Sequence, residues 1–423
     1  MQGQEEQGKI TAKAIIKIYG ILHYDAVGIS AYDLAAGVGF LKEASKLSKV
    51  PWLSANILRA TDHKPVFKPS IIKKIGDIQV GIIGITDPAA CKQKDNEVVI
   101  ATWQQTLPTL IKEMNNSCDL LILLSSLPDK ENQQIAKEME GIHLILQNGS
   151  QNHPLQKVDN TLITNTGKKG KYLGELAVNW QPTKKWGMGK KEELHSARQK
   201  LDQINWRLKR LKRKGLPDKG AEGNPKLLRD YHLLDSAQKE LKTTIATLEN
   251  SKDELFCSYR LRFIALEKNM PEQPAVQKVV DLARMEVNKV GQKRKTIPHP
   301  PSLYIGAQRC ASCHSAQSAS WGESRHARSF QTLAMQKQQF NLDCLPCHVT
   351  GINDTNLRHA LSLPEEQRQV GCEACHGAGT EHVKTQGKRA MPIPTPGSDV
   401  CLRCHTPEHS DDFNYQRDRH LVH

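Results

Sequence analysis

The first 180 or so residues alternate short apolar runs with stretches of helical spacing. The apolar runs are rich in β-branched residues and close with Gly, Pro, Asn or Ser, which is typical of buried strands. They are "VPWLSANIL", "IQVGIIGIT", "CDLLILLSSL", "IHLILQNG" and "NTLITNTG". Between them, "ATWQQTLPTLIKEMNNS" and "DKENQQIAKEMEG" repeat apolar residues with the period of a helix. Residues 1–182 are therefore predicted to form an α/β domain around a central sheet.

Residues 183–295 change to helical spacing and many charged residues. Two apolar stripes flank the turn sequence "KGLPDKGAEGNP", the first over Leu201–Leu211 and the second over Leu227–Leu255. This pattern predicts an antiparallel helical hairpin, and a third helix is predicted over Ala275–Val290. The section is interpreted as a spacer or packing arm, and an oligomerisation surface is the alternative.

After "IPHPPSLYIG" the hydrophobic periodicity nearly disappears, although eight of the 11 cysteines lie here. A stretch so rich in Gly, Pro, His and Cys is expected to need another source of core than its own side chains. The cysteines form four Cys-x-x-Cys-His motifs, which begin at Cys310, Cys344, Cys372 and Cys401 and have Cys313, Cys347, Cys375 and Cys404 as their second cysteines. The scattered Cys91, Cys118 and Cys257 are predicted to be small buried apolar residues.

Cys-x-x-Cys-His places two thiols to form thioethers with one porphyrin while the adjacent imidazole reaches the iron. Structural zinc also uses paired cysteines, but zinc does not require a histidine directly after the second cysteine. Four repeats with that histidine favour four haem c groups, which would supply the missing core. The predicted proximal iron ligands are His314, His348, His376 and His405.

A distal imidazole has to approach from across the porphyrin plane, so a histidine just beyond a motif is poorly placed for its own haem. His382 and His409 are therefore expected to serve other haems or none. The haems should be interleaved, each using ligands from separate segments. The further candidates are His299, His326, His359, His420 and His423.

Charge and hydropathy narrow the possible partners. The net charge of +14 would suggest nucleic acid, but much of it lies in the Lys/Arg-rich middle section, which we interpret as a solvated helix face. No run of about 18 apolar residues is present, so no membrane span is predicted. The expected partners are redox proteins, with a homo-oligomer as a further option and nucleic acid excluded.

The start of the chain and the predicted cofactor point to different conclusions about location. "MQGQEEQGKI" contains no secretory signal. Covalent haem attachment takes place outside the cytoplasm, so a periplasmic or extracellular protein is expected. We expect the signal to lie upstream of a shortened start.

The segments "YIGAQRCASCHSAQSASWGESRHARSF", "CLPCHVTG", "VGCEACHGAGTEHVK" and "CLRCHTPEHSDDF" together resemble the tetrahaem cytochrome c family typified by the electron carrier of hydroxylamine oxidation. The resemblance implies that His326 is distal to the fourth haem, His382 to the first and His423 to the third. In that family the second haem can lack a distal protein ligand. Here that position is either open or filled by His359 or another histidine such as His420. His299, His409 and His420 are expected by default to be surface or structural residues, with His420 kept as a possible distal ligand.

The N-terminal half resembles the periplasmic nucleotidase branch of the calcineurin-like metallophosphatases through "YDAVGISAYDL", "WLSANIL", "IQVGIIGITDP", "DLLILLSSL", "GIHLILQNGSQNH" and "NTGKKGKYLGEL". That family has an αββα sandwich with two metals held by Asp, Asn and His. Its metal ligands are replaced here by Ile29, Ser30, Ser126, Gly149 and Gln151. Such side chains are poor ligands for a divalent cation, so phosphoesterase activity is not expected. The spare groups Asp33, His143 and His153 do not restore a dinuclear site.

The sequence thus predicts an α+β multidomain protein. A partial αββα metallophosphatase-like sandwich (1–182) is followed by the helical hairpin (183–295) and a haem-cored tetrahaem cytochrome c domain with little regular structure (296–423). The predicted function is electron transfer between closely spaced haems, with an inactive phosphatase-like domain as scaffold or docking surface and no assigned catalytic residue. The alternatives are a reductase or oxidase of a small nitrogen or sulfur compound at an open second haem, and a subunit of a conducting cytochrome assembly.

Overall fold

The computed structural model describes residues 2–89, 97–149, 152–168, 170–181, 183–187, 190–213, 225–250, 256–267, 269–293, 303–353, 357–406, 409–410 and 412–422. The described strands are β1 (Val27–Gly28), β2 (Trp52–Leu53), β3 (Ile57–Arg59), β4 (Ser70–Ile75), β5 (Ile78–Ile85), β6 (Val98–Ile100), β7 (Leu120–Ser125), β8 (Leu144–Gln147), β9 (Asn152–Val158), β10 (Thr161–Thr166), β11 (Tyr172–Asn179) and β12 (Ser258–Ala265).

The described α-helices are α1 (Gln2–Ile21), α2 (Val38–Ser45), α3 (Trp103–Asn115), α4 (Asp129–Glu138), α5 (Lys190–Arg213), α6 (Pro225–Asn250), α7 (Pro274–Lys293), α8 (Ala307–Ala311), α9 (Ser315–Glu323), α10 (Ser329–Met335), α11 (Leu345–His348), α12 (Cys372–His376), α13 (Thr380–Lys384), α14 (Ser398–Cys401) and α15 (Tyr415–Asp418). Short 3-10 helices cover Ala31–Leu34, His326–Arg328, Leu357–Ser362, Glu365–Gln367 and Arg419–Leu421. Within the described part of the chain, no helix is long and apolar enough to cross a membrane.

The chain divides into two compact units that do not follow sequence order. Unit 1 consists of Met1–Lys68, Pro88–Ile100 and Glu267–His423, and unit 2 of Pro69–Asp87 and Ala101–Leu266. Each unit combines segments from more than one of the predicted domains. The domain boundaries predicted after residues 182 and 295 therefore stay predictions.

Unit 2 is built on a six-stranded sheet of order β4-β5-β7-β8-β10-β9. The four central strands run parallel, and β4 and β9 pair antiparallel at the two edges. Central parallel strands are covered on both faces and therefore read as continuous apolar runs, as in "IQVGIIGI". Helix α3 starts at a capping box between Thr102 and Gln105 and buries one apolar stripe, as its spacing predicts.

Helices α5 and α6 of unit 2 pack side by side. Arg198, near the start of α5, pairs with Glu249 at the end of α6 (2.8 Å), and Gln238 donates to Asn205 (2.6 Å). These contacts give the two helices opposite directions. The strand β12 was not predicted: it lies in a section interpreted as helical and pairs antiparallel with β11 along its whole length.

Unit 1 contains the loop "YDAVGISAYDL" and the four Cys-x-x-Cys-His motifs. Helix α1 packs on α2 and α7, and its Ile16 joins a core cluster with Ile29, Leu34 and Val38. Residues 2–10, which form a polar stretch in the sequence, are therefore part of a helix whose one buried face is defined by tertiary contacts.

The C-terminal region of unit 1 is helical rather than poor in regular structure, although its helices are short. The expectation that it lacks a core of its own was wrong in part. A cluster of buried residues surrounds the second motif: Leu333, Leu342, Leu345, Val349, Ile352, Leu357, Ala360, Leu361 and Leu363. These residues are spread over several short segments, so no single period in the sequence shows them.

Candidate haem-binding site

The first functional feature of unit 1 is a pair of histidine rings from distant segments. The ring centroids of His314 and His382 lie 6.2 Å apart, with their planes 22° from parallel. Two metal–nitrogen bonds of roughly 2 Å on opposite sides of one metal ion hold imidazole centres at about this separation. The residues present therefore fit a haem iron held between two imidazoles.

A second pair has the same character. The rings of His326 and His405 have centroids 5.9 Å apart and cross at 71°. Burial lowers the pKa of both imidazoles below the ordinary value for histidine, and for His326 the nearby His405 adds to this effect. Neutral imidazole is the form that binds a metal. Phe413 stacks on the His405 ring at 4.2 Å and limits how that ring can turn.

Hydrogen bonds fix the orientation of several of these rings through the nitrogen Nδ1. His348 bonds the carbonyl of Ser329 (2.8 Å), His376 that of Ile393 (2.9 Å) and His382 that of Arg389 (2.7 Å). His405 bonds the Ser410 hydroxyl (3.1 Å). A proton on Nδ1 leaves Nε2 as the free lone pair, which is the usual arrangement of a metal-binding histidine and its supporting partner.

The thiols of different motifs lie in contact. Cys310 of the first motif is hydrogen-bonded to Cys372 of the third, which raises the pKa of the Cys310 thiol and lowers that of Cys372 to about 7. Cys347 of the second motif is hydrogen-bonded in the same way to Cys404 of the fourth. The four attachment points therefore pair as first with third and second with fourth.

Residues 326–329 connect two motifs through the backbone. The backbone carbonyl of His326 accepts from the N–H of Val370 (3.2 Å), which lies just before the third motif. Ser329 accepts from Val370 with its hydroxyl (3.0 Å) and from His348 with its carbonyl. One short segment thus carries the ring that faces His405 and the acceptor that orients His348.

The second motif is also held from outside the cytochrome-like sequence. The Gln7 side chain on α1 donates to the carbonyls of Val287 on α7 (3.2 Å) and Phe340 (2.7 Å), and accepts from the Leu342 N–H (3.0 Å). Gly291 allows the close approach, because a Cβ there would lie 2.4 Å from the Phe340 Cβ. The α1–α7 helix pair therefore anchors the loop that leads into Cys344, which the sequence did not show.

The structure does not assign the other candidate distal ligands to a particular haem. His359 lies in the 3-10 helix that packs against the second motif, and its assignment as a distal ligand stays a prediction. His420 and His409 are exposed, and His420 lies in the last 3-10 helix. His299 and His423 lie outside the described residues, so the pairing predicted for His376 stays a prediction.

The positions at which the resemblance would place metallophosphatase ligands are occupied by side chains with structural contacts. In unit 1, Ile29 is fully buried, while the amide and hydroxyl of Ser30 both donate to Asp33 (2.8 Å each) at the start of a 3-10 helix. In unit 2, Ser126 accepts the Asp87 N–H (2.9 Å), and a Cβ on Gly149 would lie 2.5 Å from Asn165. Gln151 and the His153 side chain lie outside the described part of the chain.

The spare histidine of unit 2 has a structural role. His143 is buried, its Nδ1 accepts the Leu121 N–H (3.0 Å), and its ring meets Trp180 edge-on. Burial and the nearby Lys184 lower its pKa to about 4. Cys118 and Cys257 are buried as predicted, and Cys91 lies outside the described residues.

Comparison with known proteins agrees with both resemblances. Residues 309–377 match the family model described as cytochrome c554 and c-prime. Cytochrome c-554 of Nitrosomonas europaea is 33% identical over 92 residues, which is 18% of this chain and 39% of the relative. The C-terminal part of this chain is thus similar to cytochrome c554. That similarity implies covalently bound haem c.

The N-terminal half matches nucleotidases. Protein UshA of Salmonella pullorum is 31% identical over 72 residues, which is 17% of this chain and 13% of UshA. The 5'-nucleotidase precursor of Thermus thermophilus superimposes with a TM-score of 0.37 and 21% identity, over 41% of this chain and 39% of that structure. The chain thus spans well under half the length of the cytochrome and of the nucleotidases.

Proposed function

We propose that this chain is a multihaem c-type cytochrome that transfers electrons, with one haem c on each of its four Cys-x-x-Cys-His motifs. The observation that carries the proposal is the His314–His382 ring pair, with centroids 6.2 Å apart and planes nearly parallel. The first ring belongs to a motif and the second comes from a distant segment, as interleaved axial ligation requires. The similarity of residues 309–377 to cytochrome c554 supports the same conclusion.

When bound, haem iron supplies a one-electron couple between its ferric and ferrous states. The chain's own residues determine how that couple behaves. His314, His348, His376 and His405 are the proposed proximal ligands, with His382 and His326 opposite the first and fourth. The carbonyl acceptors on Nδ1 orient the rings and increase their basicity, which favours the oxidised state.

The contacts between motifs suit electron transfer better than a single isolated reaction centre. Cys310 touches Cys372, and Cys347 touches Cys404, so all four attachment points fall into two adjoining pairs. The apolar cluster around Leu345 packs against the second motif and covers part of it. The proposed partners are redox proteins, and the proposed location is the periplasm or the cell exterior.

The phosphatase-like part is proposed to be a catalytically inactive scaffold. Ile29 contributes to the hydrophobic core, Asp33 binds the Ser30 amide and hydroxyl, and Ser126 accepts a backbone N–H. Each of these groups already has a structural partner or a place in a core. Their chemistry supports packing rather than metal binding.

The test uses the purified protein with its covalent haem in place. Absorption and EPR spectra are recorded in the oxidised and reduced forms, before and after addition of CO, nitric oxide, nitrite and hydroxylamine. An electron carrier gives reversible reduction and no turnover of these compounds. Catalytic consumption of nitrite or hydroxylamine would contradict the carrier function and support a reductase or oxidase at the second motif.

A further inference from the structure

Glu373 is a buried carboxylate that the proposed electron-transfer function leaves without a role. It lies between Cys372 and Cys375 of the third motif, with only 2% of its surface exposed. Its two oxygens accept three backbone N–H groups. Ile305 donates to both oxygens (3.0 and 2.9 Å), Gly306 to Oε2 (2.8 Å) and Gly379 to Oε1 (2.8 Å).

The three donors belong to the starts of two different helices. Gly306 caps α8, which carries Cys310 and leads to His314. Gly379 caps α13, which carries His382. These are the two segments whose histidine rings face each other at 6.2 Å. The Glu373 carboxylate therefore accepts hydrogen bonds from the starts of α8 and α13, the two helices that position the proposed ligands of the first haem.

The backbone conformation at Gly306 allows the two helix starts to approach the Glu373 carboxylate. Gly306 has a φ of 85°, a conformation that favours glycine, and a Cβ there would lie 2.7 Å from the Glu366 Cβ. A further hydrogen bond joins the same two segments, in which the Thr380 hydroxyl donates to the Leu303 carbonyl. The approach of the two segments is thus set by several contacts, with the Glu373 carboxylate at the centre.

We propose that Glu373 is a positioning residue for the first haem: its carboxylate sets the distance between the backbone segments of His314 and His382. The inference rests on the proposed function, because it assumes that iron lies between those rings. The Glu373 carboxylate accepts from all three backbone N–H groups, and its removal leaves these donors without their partner. A buried negative charge close to the motifs also stabilises the ferric state, which lowers the reduction potential.

The test compares Glu373→Ala and Glu373→Gln with Glu381→Gln. Glu381 is a matched control, because it lies on α13 beside His382 but is exposed, and its carboxylate forms surface ion pairs with Lys384 and Arg389. The readouts are haem content, the amount of CO bound per chain, the low-spin EPR signals and the reduction potentials. None of them depends on turnover.

We expect Glu373→Ala to retain covalent haem at all four motifs but to bind one more CO per chain than the parent, with loss of one bis-imidazole EPR signal. Glu373→Gln keeps one acceptor oxygen but loses the charge, so at least one reduction potential should rise while most of the ligation remains. Glu381→Gln should match the parent in every readout.

Parental CO binding, EPR signals and potentials in both Glu373 variants would overturn the proposal. Loss of all haem and of the fold in both variants would also overturn it, because the carboxylate would then support the whole unit rather than one ligand pair. A parent protein without haem c would instead overturn the proposed function. The two failures are thus distinguished by the haem content of the parent.

Discussion

His314 and His382 hold their imidazole rings 6.2 Å apart and within 22° of parallel, although they come from different segments of the chain. The His382 ring is fixed by its bond to the Arg389 carbonyl (2.7 Å). The spin state of one haem should therefore depend on His382, which lies outside every Cys-x-x-Cys-His motif.

Replacing His382 with alanine removes the proposed distal ligand of the first haem without touching its covalent attachment. We expect unchanged haem content, one haem converted from low spin to high spin, and one additional CO bound per chain. EPR and CO titration of the reduced protein measure these changes. The exposed His409 offers a control, because His409→Ala removes a histidine of the same region and should leave both measurements unchanged. A fully low-spin His382→Ala protein would show that this ring does not ligate iron.

Gln7 should contribute to the stability of unit 1, although it is remote in sequence from every Cys-x-x-Cys-His motif. Gln7→Leu leaves the Leu342 N–H and the Phe340 carbonyl buried without their partner. The expected loss in the free energy of unfolding is about 1–3 kcal/mol. Urea unfolding followed by far-UV circular dichroism measures it.

Gln4→Leu is the control for this substitution. Gln4 lies on the same helix, is exposed and bonds the Asp343 carboxylate (3.1 Å). Its replacement should change the free energy of unfolding by no more than about 0.5 kcal/mol. Equal losses for the two variants would argue against a special role for the buried amide.

The buried His143 should make unit 2 less stable in mild acid. Its pKa is about 4 in the folded protein and about 6.5 in the unfolded chain, so between these values only the unfolded chain binds the proton. The stabilising contribution is complete above about pH 6.5 and is lost as the pH falls towards 4. Its full size is on the order of 3 kcal/mol.

His143→Gln removes this titration and should flatten the fall in stability between about pH 7 and pH 4.5. The measurement is urea unfolding at several pH values, with parent and variant compared so that other titrating groups cancel. Identical pH dependence in the two proteins would mean that His143 is protonated in the folded state, at the expense of the bond from Leu121.

The phosphatase-like part should bind no catalytic metal. Ile29 is an apolar side chain fully buried in a core, and Asn165 fills the space beside Gly149, so neither of these two positions offers a metal-binding side chain. We expect elemental analysis to find iron alone, and no hydrolysis of nucleotides or phosphodiesters with added Mn²⁺ or Zn²⁺. Two equivalents of tightly bound non-haem metal, or turnover, would contradict this.

Much of unit 2 could be predicted from sequence because its signals are local and periodic. Strands β5, β7, β8 and β10 fall within the predicted apolar runs, and α3 and α4 within the predicted helical stretches. In unit 1, the run "VPWLSANIL" instead divides into β2 and β3, and the buried side chains of Ser54 and Asn56 bond each other between the two strands (3.1 Å).

What could not be predicted depends on contacts between distant residues. Helix α1 lacks a strong apolar stripe, and its packing on α7 involves residues such as Gln7 that look like surface residues in the sequence. The motifs themselves predict the proximal histidines, because attachment chemistry fixes their spacing, and this assignment stays a prediction. The facing rings of His382 and His326 were suggested only by family resemblance, since no local pattern determines which distant histidine reaches a given motif.

The proposed electron-transfer function requires one covalent haem group on each of the four Cys-x-x-Cys-His motifs. The mass of the intact denatured chain, together with its pyridine haemochrome spectrum, measures both the number and the type of these groups. We predict a mass increase equal to four haem groups and the spectrum of haem c. A chain without covalent haem, in which the same cysteines bind zinc or remain free, would contradict this function.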